Sequence, residues 1–258
     1  MTEDSSAVAL RVRESGFDTH PPLVVLHGFL GSSRNWGSVA RRMAESYHVF
    51  LADLRNHGRS PHTESMRIED CAADVLHLLD ALELEQVRLM GHSLGGKVAM
   101  RFACEHPERV QKLFVLDIAP RRYEPETDYI DAMQQIDLSI MDRRRDADEA
   151  LSDFAPDDAT RAFLLTNLQR NEQDEFEWLP NLDLLKAKRE ELAAPGLEKG
   201  HSYSGPTRWI VGGASEYIRK SDEKLMRGHF PELEMHVLDG AGHNVHIEGG
   251  ADFLDLID

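Results

Sequence analysis

Residues 91–96 read Gly-His-Ser-Leu-Gly-Gly, a G-x-S-x-G pattern lying between a short apolar run and an amphipathic helix. A serine hydroxyl is a weak nucleophile. To react, Ser93 must stand clear of the backbone, beside a base and above a helix N-terminus, and a sharp strand-to-helix turn meets all three needs. The base must be sought among 13 histidines. His243, in Gly240-Ala-Gly-His243, directly follows the last apolar run of strand character, where small residues let the chain bend back toward Ser93. His246 is its nearest rival, but it falls at the start of a closing helix and is expected to point elsewhere. His57, His62, His106 and His201 read as surface or turn residues.

An imidazole base needs a carboxylate to orient it. Asp117 ends the strand after the one carrying Ser93, so a carboxylate there reaches the imidazole from the neighbouring strand; its bland reading is a turn cap before Ile118-Ala-Pro120. Glu216 follows a later strand, in Gly212-Gly-Ala-Ser-Glu216, where Ser215 stands at the position expected for an aspartate and Glu216 is one residue out of step. Asp183 is a third candidate. The oxyanion of an acyl-transfer reaction needs two N–H donors: one is the Leu94 amide, and the glycine-bounded His27-Gly-Phe-Leu-Gly31 loop offers the Phe29 amide. Phe29 could equally be a core aromatic. His57 with Asp53 or His62 could be drawn as a metal pair, but no third ligand stands at supporting spacing, and Asp53-Leu-Arg-Asn-His-Gly-Arg-Ser60 reads as scaffold. The glycines near Ser93 match neither phosphate-binding nor dinucleotide-binding fingerprints. Arg143-Arg-Arg145 sits among aspartates and reads as a solvated helix face.

The elements that must position these groups are legible in the hydrophobic pattern. Residues 7–13 alternate apolar and polar, as a half-exposed strand does, whereas 23–26, 49–51, 87–90 and 113–116 are continuously apolar, as strands covered on both faces are. Between them lie helical stripes: Trp36, Val39, Ala40 and Met43, led by Ser32-Ser33; then Ile68, Cys71, Ala72, Val75, Leu78, Leu79 and Leu82; then Leu94, Val98, Phe102 and Ala103, ending at Pro107. Such alternation predicts a mainly parallel sheet wrapped on both faces. From 121 to 200 the pattern changes to many charges, helical stripes such as Phe163, Leu164 and Leu168, and no strong strand candidate. Strand character returns at 208–211 and 235–238, and Phe253, Leu254, Leu256 and Ile257 suit a closing helix. The expected division is a core of residues 1–120 and 201–258 with a helical cap inserted at 121–200.

A chain of 258 residues with 41% hydrophobic content can bury a sizeable core without disulfides or structural metal. A net charge of −17 opposes nucleic acid and anionic membranes as partners, because phosphate surfaces repel it. Cys71 and Cys104 fall in predicted helices among apolar neighbours, and no basic-then-apolar leader or membrane-length apolar run is apparent, so a soluble, cytoplasmic protein is expected.

Taken together, His27-Gly-Phe-Leu-Gly31, Asp53-Leu-Arg-Asn-His-Gly-Arg-Ser60, Gly91-His-Ser-Leu-Gly-Gly96 and Gly242-His243 resemble the α/β-hydrolase superfamily over nearly the whole chain. The resemblance implies an α/β fold with a mostly parallel eight-stranded sheet, a helical cap after the sixth strand, and a Ser-His-acid site between them. Leu116-Asp-Ile-Ala-Pro120 with Gly212-Gly-Ala-Ser215 looks like a bacterial esterase subgroup whose acid has moved to the end of the sixth strand, which carries the acid to Asp117. It implies a serine carboxylesterase acting on small, short-chain acyl esters through an acyl-enzyme, with no cofactor. Serine at 93 opposes the dehalogenase and epoxide-hydrolase members, which use an aspartate there. Carbon–carbon bond hydrolysis, thioester hydrolysis and a non-catalytic ligand receptor are the alternatives on the same scaffold; substrate identity and oligomeric state are not legible.

Overall fold

In the computed structural model, which describes residues 7–125 and 128–257, the buried apolar runs pair into one sheet. The chain enters through β1 (Val12–Ser15) and β2 (Pro22–Leu26), crosses by α1 (Gly37–Met43) to β3 (His48–Ala52), and returns through α2 (Ile68–Ala81) to β4 (Val87–His92). Then α3 (Leu94–Glu105) leads to β5 (Val110–Leu116). Between β5 and the next sheet strand lie α4 (Asp128–Gln135), α5 (Arg144–Leu151), α6 (Asp158–Leu165), a hairpin of β6 (Leu168–Arg170) and β7 (Phe176–Trp178), α7 (Leu182–Ala187) and α8 (Arg189–Ala193). The sheet closes with β8 (Thr207–Gly212), α9 (Glu223–His229) and β9 (Leu233–Leu238), followed by α10 (Val245–Glu248) and α11 (Gly250–Asp255).

The spatial order is β1-β3-β2-β4-β5-β8-β9; β1 is antiparallel to β3, and every other pair is parallel. Successive side chains on each strand take opposite faces. Val24, Leu26, Leu89 and Val115 join the core beneath α2 and α3, while Leu23, Val25, Met90 and Phe114 join a second core with Trp36, Met43, Val245 and Phe253. Each fully buried Leu, Val or Phe contributes roughly 1.5–3 kcal/mol of transfer free energy. That explains why uninterrupted apolar runs were needed: both faces are covered.

Four sequence expectations are corrected. The sheet has seven strands among the described residues, not eight. The expected first strand at 7–13 begins only at Val12, because the amides before it are drawn to side chains: Val8 N–H donates to Asp74 (2.7 Å) and Arg11 N–H to Ser60 (2.8 Å). The insertion follows the fifth sheet strand rather than the sixth. The inserted segment also contains strands: Leu168, expected on a helical stripe with Phe163 and Leu164, pairs with Trp178 in the β6–β7 hairpin. Three-residue strands are too short to show an alternation in sequence.

Candidate active site

Ser93 occupies the single residue between β4 and α3, with φ 51° and ψ −117°. A non-glycine residue at positive φ costs of order 1–3 kcal/mol, which the surrounding packing must hold in place. Here the hold is tight. Ser93 N–H donates to Leu116 O on β5 (3.1 Å), and Gly95 N–H to His27 O (3.1 Å). A Cβ at Gly95 would sit 2.4 Å from Leu26 O, so only glycine lets α3 start this close to β2.

The loop after β2 lies against the same turn. A Cβ on Gly28 would meet His92 Nδ1 at 2.9 Å and the Ser93 Cβ at 3.3 Å. His27 sets the loop's path: its Nε2 accepts the Leu54 N–H (2.9 Å), so Nδ1 carries the proton and donates to Gly28 O (2.7 Å). Burial pushes the His27 pKa down, which keeps the ring neutral for this double role. Phe29 and Leu94 both line, with Ser93, a cavity of about 400 Å³. Neither amide has a protein acceptor among the described residues. Two free N–H groups beside a serine are what a developing oxyanion requires.

His243, in the loop between β9 and α10, is fastened at both ends of the residue. Its ring Nδ1 lies 2.8 Å from Asp117 Oδ2, and its backbone carbonyl accepts from His92 Nε2 at 2.9 Å. His92 directly precedes Ser93, so His243 is anchored to the residue beside Ser93. With Nδ1 on the carboxylate, Nε2 is the nitrogen left to exchange a proton. Tyr217 covers the imidazole face to face, with ring centroids 3.6 Å apart and planes 13° from parallel.

Asp117 directly follows β5 at φ 50° and is fully buried. Its Oδ1 accepts the Gly212 N–H (3.0 Å), and Oδ2 accepts from both the Ser215 hydroxyl and His243. The serine standing where an aspartate was expected is thus a donor to the carboxylate on the neighbouring strand. Glu216 is exposed and lines the cavity. Asp183, on α7, accepts from Gln134 (2.6 Å) and lines a separate cleft with Met133 and Trp178. His246 stacks on Trp36 at 4.0 Å in α10, burial driving its pKa to about 3.

Polar groups of the Asp53–Ser60 turn and its neighbour His62 are held in structural contacts. Asp53 accepts the Ser33 and Arg59 amides (2.6 and 2.9 Å), Arg55 pairs with Asp74 in full burial (2.6 Å), and His62 reaches Leu179 O (2.9 Å). His57 turns Nδ1 to Arg55 O (3.0 Å), and its pKa falls to about 3 through burial. Sequence reasoning missed several residues that shape the site: Tyr217, His92 and the buried Lys97. Lys97 could have been noticed as the first charge of α3, one helical turn after Ser93.

A family model for the alpha/beta hydrolase fold matches residues 21–250. The chain belongs to the α/β-hydrolase family. It is 36% identical to the sn-1-specific diacylglycerol lipase ABHD11 of Xenopus laevis, over 99% of this chain and 86% of that one. It is 31% identical to esterase YbfF of Escherichia coli, covering 88% of this chain and 87% of that one. Among solved structures, a marine microorganism esterase superposes with a TM-score of 0.93 at 33% identity, covering 96% of this α/β hydrolase and 98% of the esterase. No helix among the described residues is long and apolar enough to cross a membrane.

Proposed function

We propose that this α/β hydrolase is a serine carboxylesterase of small, short-chain acyl esters, with Ser93 as nucleophile, His243 as base and Asp117 as the orienting acid. It is a hydrolase of ester bonds, as its esterase and lipase relatives are named. The observation that carries the assignment is the double fastening of His243, through Nδ1 to Asp117 and through its carbonyl to the residue beside Ser93.

The chemistry follows from that arrangement. His243 Nε2 takes the Ser93 proton as Oγ attacks the ester carbonyl, and the Phe29 and Leu94 amides hold the oxyanion. The imidazolium then gives its proton to the leaving alkoxide, which departs as the alcohol. Water, deprotonated by the same ring, attacks the acyl-enzyme, and the serine leaves with the proton returned. Residues 121–200 act as a cap over this site, and a cavity of about 400 Å³ suits a short acyl group. The thiols of Cys71 and Cys104 are free, which suits a reducing, cytoplasmic setting.

The test is hydrolysis of p-nitrophenyl butyrate by the purified protein and its Ser93→Ala variant, with fluorophosphonate labelling. Loss of about 10⁴-fold or more in kcat, together with labelling confined to Ser93, is expected. Unchanged turnover in a folded Ser93→Ala protein, or labelling elsewhere, rejects the assignment.

A further inference from the structure

The cavity beside Ser93 has the opposite charge balance to the chain that builds it. The sequence carries 46 Asp and Glu against 29 Lys and Arg, yet the cavity wall presents Lys97, Arg121, Arg122, Arg189 and Arg219 against only Glu124 and Glu216. Two of the arginines are neutralised from behind: Arg121 by Asp222 at 3.1 Å and Arg122 by Glu190. Lys97, Arg189 and Arg219 have no carboxylate within ion-pair distance among the described residues.

Lys97 is the informative one. It is 3% exposed, four residues after Ser93 and so about one helical turn along α3. Two of its three N–H donors reach Leu192 O (2.8 Å) and Ala194 O (2.7 Å), and the ammonium lies 5.0 Å from the Tyr123 ring centroid. One donor remains. A buried ammonium is ordinarily paired with a carboxylate. This one meets only like charge: burial, then Arg121 and Arg122, bring its pKa down to about 7.

Taking the hydrolase reading above as given, we propose that the natural substrate is an ester carrying an anionic group, a carboxylate or phosphate, drawn in by Arg189 and Arg219 at the mouth and held by Lys97 near the scissile bond. The missing counter-charge of the site is then supplied by the substrate. Arrival of the anion favours the protonated amine, and the two carbonyls at the end of α8 keep it pointed inward while the acyl group reaches Ser93.

The experiment compares matched pairs: mono-p-nitrophenyl glutarate against p-nitrophenyl valerate for a charge on the acyl side, and butyryl glycerol 3-phosphate against monobutyrin for a charge on the alcohol side. At low salt we expect kcat/KM to favour the charged member of at least one pair by about tenfold or more, the preference shrinking as ionic strength rises. Whichever pair shows it identifies the anion and the side of the ester that bears it. Arg189→Gln with Arg219→Gln should lower that preference several-fold, and Lys97→Met further, chiefly through KM. The exposed arginine pair decides the matter where Lys97→Met is poorly folded. Equal kcat/KM within both pairs, or a preference that survives the arginine variant in a salt-independent form, overturns the proposal. Titration of the same compounds into Ser93→Ala protein by calorimetry reads the subsite without turnover: tighter binding of charged members supports it, equal binding overturns it. Failure of the nucleophile assignment is separate, appearing as absent hydrolysis of every ester with Ser93 unlabelled.

Discussion

The carboxyl edge of the sheet and the segment inserted above it are held by different kinds of bond. At the sheet edge, position is set by backbone: Ser93 N–H to Leu116 O, Asp117 N–H to Ile210 O, Gly95 N–H to His27 O. The inserted segment is seated mainly by side chains reaching across. Lys97 holds the end of α8, Asn167 donates to Leu30 O at 2.7 Å, and Asn35 reaches Thr166 at 3.1 Å. Its own ion pairs, such as Arg143–Asp146 and Arg145–Glu149, are exposed and contribute little. A frame fixed by ladders keeps catalytic geometry while a seat made of single side chains can be altered without disturbing it. The comparison therefore predicts large, chemistry-specific losses from the edge and modest ones from the seat.

The largest contrast lies between the two carboxylates near His243. Asp117→Asn should lower kcat by about 10³–10⁴-fold, because an amide cannot hold the imidazole in the productive tautomer or stabilise its charged form. Glu216→Gln should change it by less than about threefold, since the exposed side chain lies at the rim. Steady-state kinetics on p-nitrophenyl butyrate checks both. Comparable activity in Asp117→Asn and the parent would return the acid to the loop after β8.

Much of this contrast was readable in the residues, and the reason is physical. The turn that carries Ser93 and Leu94 is legible because it constrains neighbours in sequence: glycines, an apolar strand before, an amphipathic helix after. Asp117 was readable only as one choice among three, since the bond that distinguishes it joins residues 126 apart. Ser215 looked like a gap in the pattern, yet its hydroxyl donates to Asp117 at the end of the adjacent strand. The β6–β7 hairpin and the seating contacts of Asn167 and Lys97 left no periodic trace. Their partners lie on distant elements, and a polar residue that bonds one remote carbonyl resembles any solvated residue in sequence.

Acid should weaken the frame rather than the seat. His57 and His246 are buried with pKa values near 3, and burial also holds His92 well below the ordinary histidine value. Each such group binds its proton more readily in the unfolded chain, so the folded state is fully favoured above about pH 6.5 and loses stability as pH falls from there toward 3. By pH 5 the loss is roughly 2 kcal/mol for each of His57 and His246. Urea unfolding at pH 7 and pH 5 measures it. His246→Phe, which keeps the stack on Trp36 but removes the titrating nitrogens, should flatten part of that slope; an unchanged slope would show that these rings do not govern acid stability.

Tyr217 tests whether the frame ends at the triad residues. Its ring lies against the imidazole that the proposed mechanism makes cationic, an interaction worth about 0.5–2 kcal/mol. Tyr217→Ala should lower kcat about tenfold with the pH profile displaced, while Tyr217→Phe, which keeps the ring face, stays within about twofold. Equal losses in both variants would assign the effect to the hydroxyl, which donates no part of the stack.

The smallest effect is expected at the seat. Asn167 is fully buried, and its Nδ2 binds the carbonyl of Leu30, a residue held at φ 53° one position after Phe29. Replacing it with alanine removes one hydrogen bond and leaves the Leu30 carbonyl to find another donor, a loss of about 1–2 kcal/mol in unfolding free energy. Because His27 fastens the other end of the loop through Leu54 and Gly28, the Phe29 amide keeps its direction, and kcat should fall only about twofold to fivefold. A fall as large as that of Asp117→Asn would mean that the inserted segment, rather than the sheet edge, aims the oxyanion donor. The two regions would then share the catalytic geometry that the backbone ladders assign to one of them.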